Sequence, residues 1–131
     1  MTVFVDTSAF YALLDRSDAE HARAAKKWVR LVEESQDPMT TNYVIVETSA
    51  LVQHRLGVAA LRTFAEDVLG VVRVEWVSPD DHARATAAVL AAARRKLSLV
   101  DCASIELCRR LGTRQAFAFD KHFRDAGFEL V

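Results

Sequence analysis

Apolar residues open the chain in an unbroken run, Val3-Phe4-Val5, and the run stops at Asp6-Thr7-Ser8. A short run rich in β-branched and aromatic residues predicts a buried strand. Ala9 to Leu14 stays apolar and predicts the start of a helix. Ser17-Asp18-Ala19-Glu20 has the form of a capping box, opening a helix through Trp28, Val29 and Val32 to about Glu34. Asp37-Pro38 breaks that helix, and Met39-Thr40-Thr41 predicts a brief second strand. Asn42 is the expected cap of a helix ending near Gly57, and Val58 to Val68 predicts another that stops at Gly70.

Val72, Val74 and Trp76 alternate with Arg73 and Glu75. A period of two with one wet face predicts a strand at a sheet edge. Ser78-Pro79-Asp80-Asp81 is a strong helix start, with proline in the first turn and acids at the positive end. The alanine-rich helix that follows is expected to end at Arg94-Arg95-Lys96. Ser98-Leu99-Val100-Asp101 forms a second capping-box pattern and opens a helix to Gly112. Gln115 to Phe119 reads as a strand that stops on Asp120, and Phe128 to Val131 as a last short one. Strands alternating with helices predict an α/β fold with a mainly parallel sheet. The length of 131 residues predicts a single domain, 1–131.

Composition narrows the picture little. A net charge of −1 gives no global sign of nucleic-acid binding, so a polyanion would need a local basic patch. Cys102 and Cys108 fall in one predicted helix, ~9 Å apart along its axis, too far for a disulfide. No metal-type cysteine spacing occurs, which fits a reducing cytoplasm. The first apolar run is too short for a signal peptide and carries Asp6. No stretch approaches the ~20 apolar residues that span a membrane.

The candidate chemistry lies in carboxylates. Ligands of parallel sheets bind beyond the carboxyl ends of the strands. Asp6 and Asp120 each follow a predicted strand, and Asp101 lies in the first turn of a helix. Helix capping accounts for Asp6 or Asp101 taken singly. Glu47 has Tyr43, Val44, Ala50 and Leu51 as its helical neighbours, so it is expected to interrupt an apolar stripe. A carboxylate buried there needs an Arg, a Lys or a metal beside it. Four converging carboxylates repel one another unless divalent cations remove the penalty. Oxygen-only ligation suits Mg²⁺ or Mn²⁺ better than Zn²⁺, and acidic metal sites serve displacement at phosphorus.

These segments together resemble the PIN-domain ribonucleases of the VapC type, toxins of toxin–antitoxin pairs. The resemblance rests on Val3-Phe4-Val5-Asp6-Thr7-Ser8, Asn42-Tyr43-Val44-Ile45-Val46-Glu47, Ser98-Leu99-Val100-Asp101-Cys102 and Phe119-Asp120-Lys121-His122-Phe123, in that order and over nearly the whole chain. It implies a central five-stranded parallel sheet between helices, with the acids at one end. It implies Mg²⁺- or Mn²⁺-dependent endonuclease action on RNA, a homodimer, and silencing by a cognate antitoxin. By that resemblance Asp6 and Asp101 are the principal metal ligands, and Glu47 and Asp120 complete the site directly or through water. Thr7 or Ser8 would hold water or phosphate nearby.

Basic residues cluster at Lys26, Lys27 and Arg30, at Arg94 to Lys96, at Arg109, Arg110 and Arg114, and at Lys121 with Arg124. Taken singly, each group reads first as solvated surface, and Arg94 to Lys96 also as favourable placement at a helix C-terminus. Lys121 and Arg124 follow Asp120 directly and are the first candidates for phosphate contact, with Arg94 to Lys96 second. His54 could border the site and His122 could touch substrate, but neither is needed as a base. Tyr11, Trp28, Phe64 and Trp76 are expected in the core. Two other readings use the same residues: an aspartate-based phosphotransfer domain, and a non-catalytic RNA- or protein-binding module. The former is weakened because no second Asp accompanies Asp6 in the arrangement such enzymes use.

Overall fold

The computed structural model describes residues Met1–Val131. Its centre is a parallel sheet of five strands: β1 (Thr2–Val5), β2 (Asp37–Thr41), β3 (Arg73–Glu75), β4 (Gln115–Phe117) and β5 (Glu129–Leu130). They lie in the order β3-β2-β1-β4-β5. All four pairings are parallel, so the carboxyl ends of β1 and β4 share one edge. Helices α1 (Thr7–Leu14), α2 (His21–Glu33), α3 (Asn42–Leu56), α4 (Val58–Thr63), α5 (Pro79–Ala92), α6 (Leu99–Leu111) and α7 (His122–Asp125) connect them. Val3, Phe4 and Val5 are buried, as a central strand covered on both faces requires. Phe10 packs edge-on to Phe64, and Phe123 contacts both Phe4 and Phe128. No helix is long and apolar enough to cross a membrane.

Several boundaries differ from the sequence pattern for identifiable reasons. Strand β2 begins at Asp37 and includes Pro38. Pairing with β3 starts one residue later, at Met39, so proline occupies a position where no β3 ladder is yet formed. The Ser17–Glu20 capping box does not form. Instead Asp18 accepts from the Glu20 N–H at 2.8 Å, making a turn, and α2 starts at His21 without a side-chain cap. Thr41, not Asn42, caps α3 by accepting from the Val44 N–H. Asn42 Oδ1 instead accepts from the Val77 N–H at 2.7 Å, a tertiary contact that local sequence cannot express. The expected helix from Val58 to Val68 is α4 followed by a π turn over Phe64–Val68 and a 3₁₀ turn over Leu69–Val71.

Two corrections concern exposure. Trp76 is 72% exposed, not core. Strand β3 ends at Glu75, so the alternation that buries Val72 no longer governs the residue beyond it. Arg73 faces outward and pairs with Asp37 and Glu75 at this edge. Tyr11 is half-buried, with its hydroxyl donating to Asp15 at 2.8 Å.

Helices α5 and α6 are joined through a buried carboxylate. Asp81 closes the capping box with Ser78 and receives Arg84 at 2.7 Å and Arg110 at 2.9 Å. Burial works to raise its pKa, but the two guanidiniums and Ser78 outweigh it and hold it at about 2. Arg110 is thereby committed to structure. Both cysteines are free and buried on α6, and burial pushes the Cys108 thiol up to about 12.

Candidate active site

Asp6 stands directly beyond Val5, at the carboxyl edge of the central strand, and is 5% exposed. Its N–H donates to the Phe117 carbonyl at 3.1 Å, which ties the end of β1 to the end of β4. Its side chain also caps α1, with Oδ2 accepting from the Ser8 hydroxyl at 2.8 Å and from the Ser8 N–H at 3.3 Å. Capping and site membership therefore coincide in one residue. Ser8 Oγ accepts from the Phe119 N–H at 3.0 Å, so one hydroxyl orients Asp6 and anchors the segment leading to Asp120. The Thr7 hydroxyl is buried and accepts from Thr48 at 3.1 Å, fastening α3 to the start of α1.

Asp101 lies in the first turn of α6, on the same edge. The Ser98–Asp101 capping box is complete: Ser98 Oγ accepts from the Asp101 N–H, and Asp101 Oδ2 accepts from the Ser98 N–H at 3.0 Å. Asp120 follows β4 by three residues, on a turn rather than at the strand end. Its Oδ1 accepts from the His122 N–H at 2.9 Å. That turn brings the His122 ring between two acids, with Nε2 3.3 Å from Asp120 and 3.7 Å from Asp101. The sequence reading left His122 as a possible substrate contact and missed this bridge. Its local signal was the Asp-x-His spacing, because an Asp side chain readily accepts from the N–H two residues on.

Glu47 does not interrupt a buried apolar stripe as its sequence neighbours suggested. It is exposed, as are Val46 (68%) and Ala50. The buried stripe of α3 runs instead through Val44, Thr48 and Val52. A polar residue, Thr48, occupies the inner face because Thr7 partners it, and this rotates the apparent apolar stripe. Glu47 is adjacent to Thr48, so the Thr48–Thr7 bond fixes its backbone beside the start of α1. His54 is also exposed.

The electrostatics set the chemistry. Burial raises the Asp6 pKa from 3.8 to about 6; the charge of Asp101 adds to the rise, and the Ser8 hydrogen bonds oppose it. No Lys or Arg pairs with Asp6, Asp101 or Asp120. Each commits one oxygen to the protein: Oδ2 of Asp6, Oδ2 of Asp101 and Oδ1 of Asp120. No Lys, Arg or side-chain hydroxyl engages the remaining oxygens, and at Asp6 the Thr7 backbone N–H also favours the charged form. No three acids, histidines or cysteines stand close enough to form a ready cage. Mg²⁺ seldom needs one, since it binds through one or two carboxylates together with waters and substrate phosphate. The donor set of Asp6 and Asp101 fits such an ion.

One cleft is lined by Asp120, and two adjoining ones by His122, of which one is also lined by Ala88, Leu97, Cys102, Ile105, Glu106 and Arg109. The cleft at Asp120, of about 350 Å³, is lined by Thr7, Ser8, Tyr11, Asp18, Glu20, Leu51 and Phe119. The second cleft at His122, of about 390 Å³, is lined by Arg94, Arg95, Lys96, Leu97, Lys121 and Asp125.

Residues 3–129 match the PIN domain family. The chain belongs to that family. It is 38% identical to the 23S rRNA-specific endonuclease VapC20 of Mycobacterium tuberculosis, over 98% of this chain and 97% of the relative. The crystal structure of VapC20, described as a Sarcin-Ricin loop cleaving toxin, superposes with a TM-score of 0.86 at 35% identity, covering 97% of this chain and 96% of that one. FitAcB from Neisseria gonorrhoeae gives a TM-score of 0.70 at 14% identity over 99% of this chain and 96% of that chain. At that identity the likeness is one of fold. The five-stranded parallel sheet between helices is thus the PIN architecture that the opening and closing motifs led one to expect.

Proposed function

We propose that this PIN-domain protein is a divalent-metal-dependent endoribonuclease and the toxin half of a toxin–antitoxin pair. The observation that carries this reading is the set Asp6, Asp101 and Asp120 at one sheet edge, each with one oxygen anchored and one that no Lys, Arg or side-chain hydroxyl engages. In this reading the whole chain, 1–131, acts as one domain in the cytoplasm. Mg²⁺, or Mn²⁺ in its place, would be held chiefly by Asp6 and Asp101, with Asp120 and the solvent-facing Glu47 completing the acidic surface. When bound, such an ion supplies an activated water and charge stabilisation for phosphodiester hydrolysis.

The protein's own part is orientation. Ser8 fixes the Asp6 carboxylate, Ser98 fixes Asp101, and the Asp120 turn holds its carboxylate against His122. Burial of Asp6 in a weakly polar surround makes its negative charge costly until a cation shares it. An antitoxin arginine inserted among the same oxygens would satisfy that charge and block the site. Homodimer formation is the expectation that accompanies family membership. Exposed Val46, Trp76 and Leu90 are apolar surface that such assembly could cover.

Purified protein freed of any partner would be incubated with ribosomal RNA and with a mixed structured RNA pool, in Mg²⁺, in Mn²⁺ and in EDTA, beside Asp101→Asn. The 23S rRNA, target of the VapC20 relative, is the first substrate to try. Metal-dependent cuts missing from the variant support the reading. RNA binding that survives EDTA, without cleavage under any metal, would replace it with a non-catalytic binding module.

A further inference from the structure

The basic residues before α6 are not the end of a helix. Helix α5 stops at Ala92, and Ala93 takes the left-handed conformation with φ 51°. Arg94, Arg95 and Lys96 therefore project from the connection to Ser98, just beyond the C-terminal end of α5. The fold brings this connection against Lys121 and His122, residues more than twenty positions away in sequence, to line one cleft. None of Arg94, Arg95, Lys96 or Lys121 has an ion-pair partner. By contrast, Arg84 and Arg110 close on Asp81, and Arg73 on Asp37 and Glu75. Asp125 is the one acid that lines the cleft.

The cleft shares its His122 wall with the acidic site, since the same ring lies 3.3 Å from Asp120. The cleft lined by Asp120 carries Asp18 and Glu20, with Arg23, paired to Glu20, and Lys27 against the Phe119 ring and Arg55 against the Tyr11 ring. The two clefts differ in what lines them: the cations near the one at Asp120 lie over aromatic rings, whereas four unpaired cations line the other directly. A polyanion leaving the acids on the His122 side meets four unpaired cations and one carboxylate. The volume of about 390 Å³ lies within the range of sites that enclose small ligands.

We infer that the cleft of Arg94, Arg95, Lys96 and Lys121 is the phosphate-binding track that seats the RNA backbone on one side of the scissile bond. The inference rests on the nuclease reading and adds to it the place where the RNA backbone is held. The cations act by binding and positioning, through phosphates remote from the bond that is cut.

The test is direct binding of a short fluorescein-labelled RNA hairpin to full-length protein, titrated over a range of salt. An Asp6→Asn background keeps the RNA intact. The variant is Arg94→Gln/Arg95→Gln/Lys96→Gln, and the control Lys26→Gln/Arg30→Gln/Arg62→Gln removes the same charge elsewhere. Thermal unfolding checks that both fold. Loss of three phosphate contacts lowers the slope of log K against log[salt] by about 2 and weakens binding about a hundredfold at about 0.1 M salt. The control keeps the parent slope. Equal losses in both variants would mean a diffuse field and would overturn the track, as would parent-like binding by the cleft variant. In the Asp6-containing protein the cleft variant raises KM for cleavage far more than it lowers kcat. If that protein cuts RNA while the cleft variant binds as tightly as the parent, the track alone fails. If it neither binds nor cuts RNA, the nuclease reading fails as well.

Discussion

Replacing Asp6 by Asn is expected to make the metal-free protein more stable while removing its activity. Asn retains an oxygen to accept from the Ser8 hydroxyl and N–H, so the local cap survives. What it removes is a charge that burial and Asp101 both oppose, the pKa having moved from 3.8 to about 6. At about 1.4 kcal/mol per pH unit, that rise corresponds to about 3 kcal/mol. The sign follows from proton binding. Below about pH 4 Asp6 is protonated in both the folded and unfolded chains, so it imposes no penalty there. Between the two pKa values the unfolded chain loses its proton first. The penalty is complete once pH passes about 6, where the folded carboxylate also ionises. Chemical denaturation of both proteins in EDTA, at several pH values from about 4 to about 8, measures the gap. Asp6→Asn gains nothing at the acid end and about 3 kcal/mol, or about 10 °C in Tm, at the alkaline end. Added Mg²⁺ then narrows the gap, because it stabilises the parent by binding the folded state. A gap that does not change with pH, or a variant less stable than the parent at about pH 8 in EDTA, would refute the account of Asp6 as a strained, cation-seeking acid.

Other outcomes follow from named contacts. Asp101→Asn abolishes RNA cleavage but, because its amide oxygen still accepts from the Ser98 N–H, costs less than about 1 kcal/mol by denaturant titration. Asp81→Asn destabilises by about 2 kcal/mol near neutral pH; that gap shrinks as pH falls from about 4 through about 2, where the parent carboxylate gains its proton. Thr48→Val leaves the Thr7 hydroxyl without its buried donor and lowers stability by about 1 kcal/mol in the same assay. Trp76→Ala shifts the unfolding free energy of the monomer by less than about 0.5 kcal/mol, where a core tryptophan would cost about 3–5 kcal/mol.

The sequence by itself determined the order of strands and helices, the strong cap at Ser78, the capping box at Ser98, and the positions of Asp6 and Asp101. Those features are local: a short apolar run ends on a carboxylate, or a Ser and an Asp three residues apart close on each other's N–H groups. The parallel sheet follows from the alternation of strand and helix, and it places Asp6 and the segment after β4 on one edge. Tertiary structure decided the rest. Glu47 faces water because Thr48, paired with Thr7, takes the inner face of α3. Arg110 is withdrawn from the basic surface by Asp81, a partner 29 residues away. His122 meets Asp101 through a turn that no periodicity encodes. The cations of 94–96 and Lys121 form one cleft only because the chain returns to the same sheet edge after β4. Local hydrogen bonds and hydrophobic period are written in neighbouring residues, whereas the charge and shape of a site depend on which distant segments the sheet brings together.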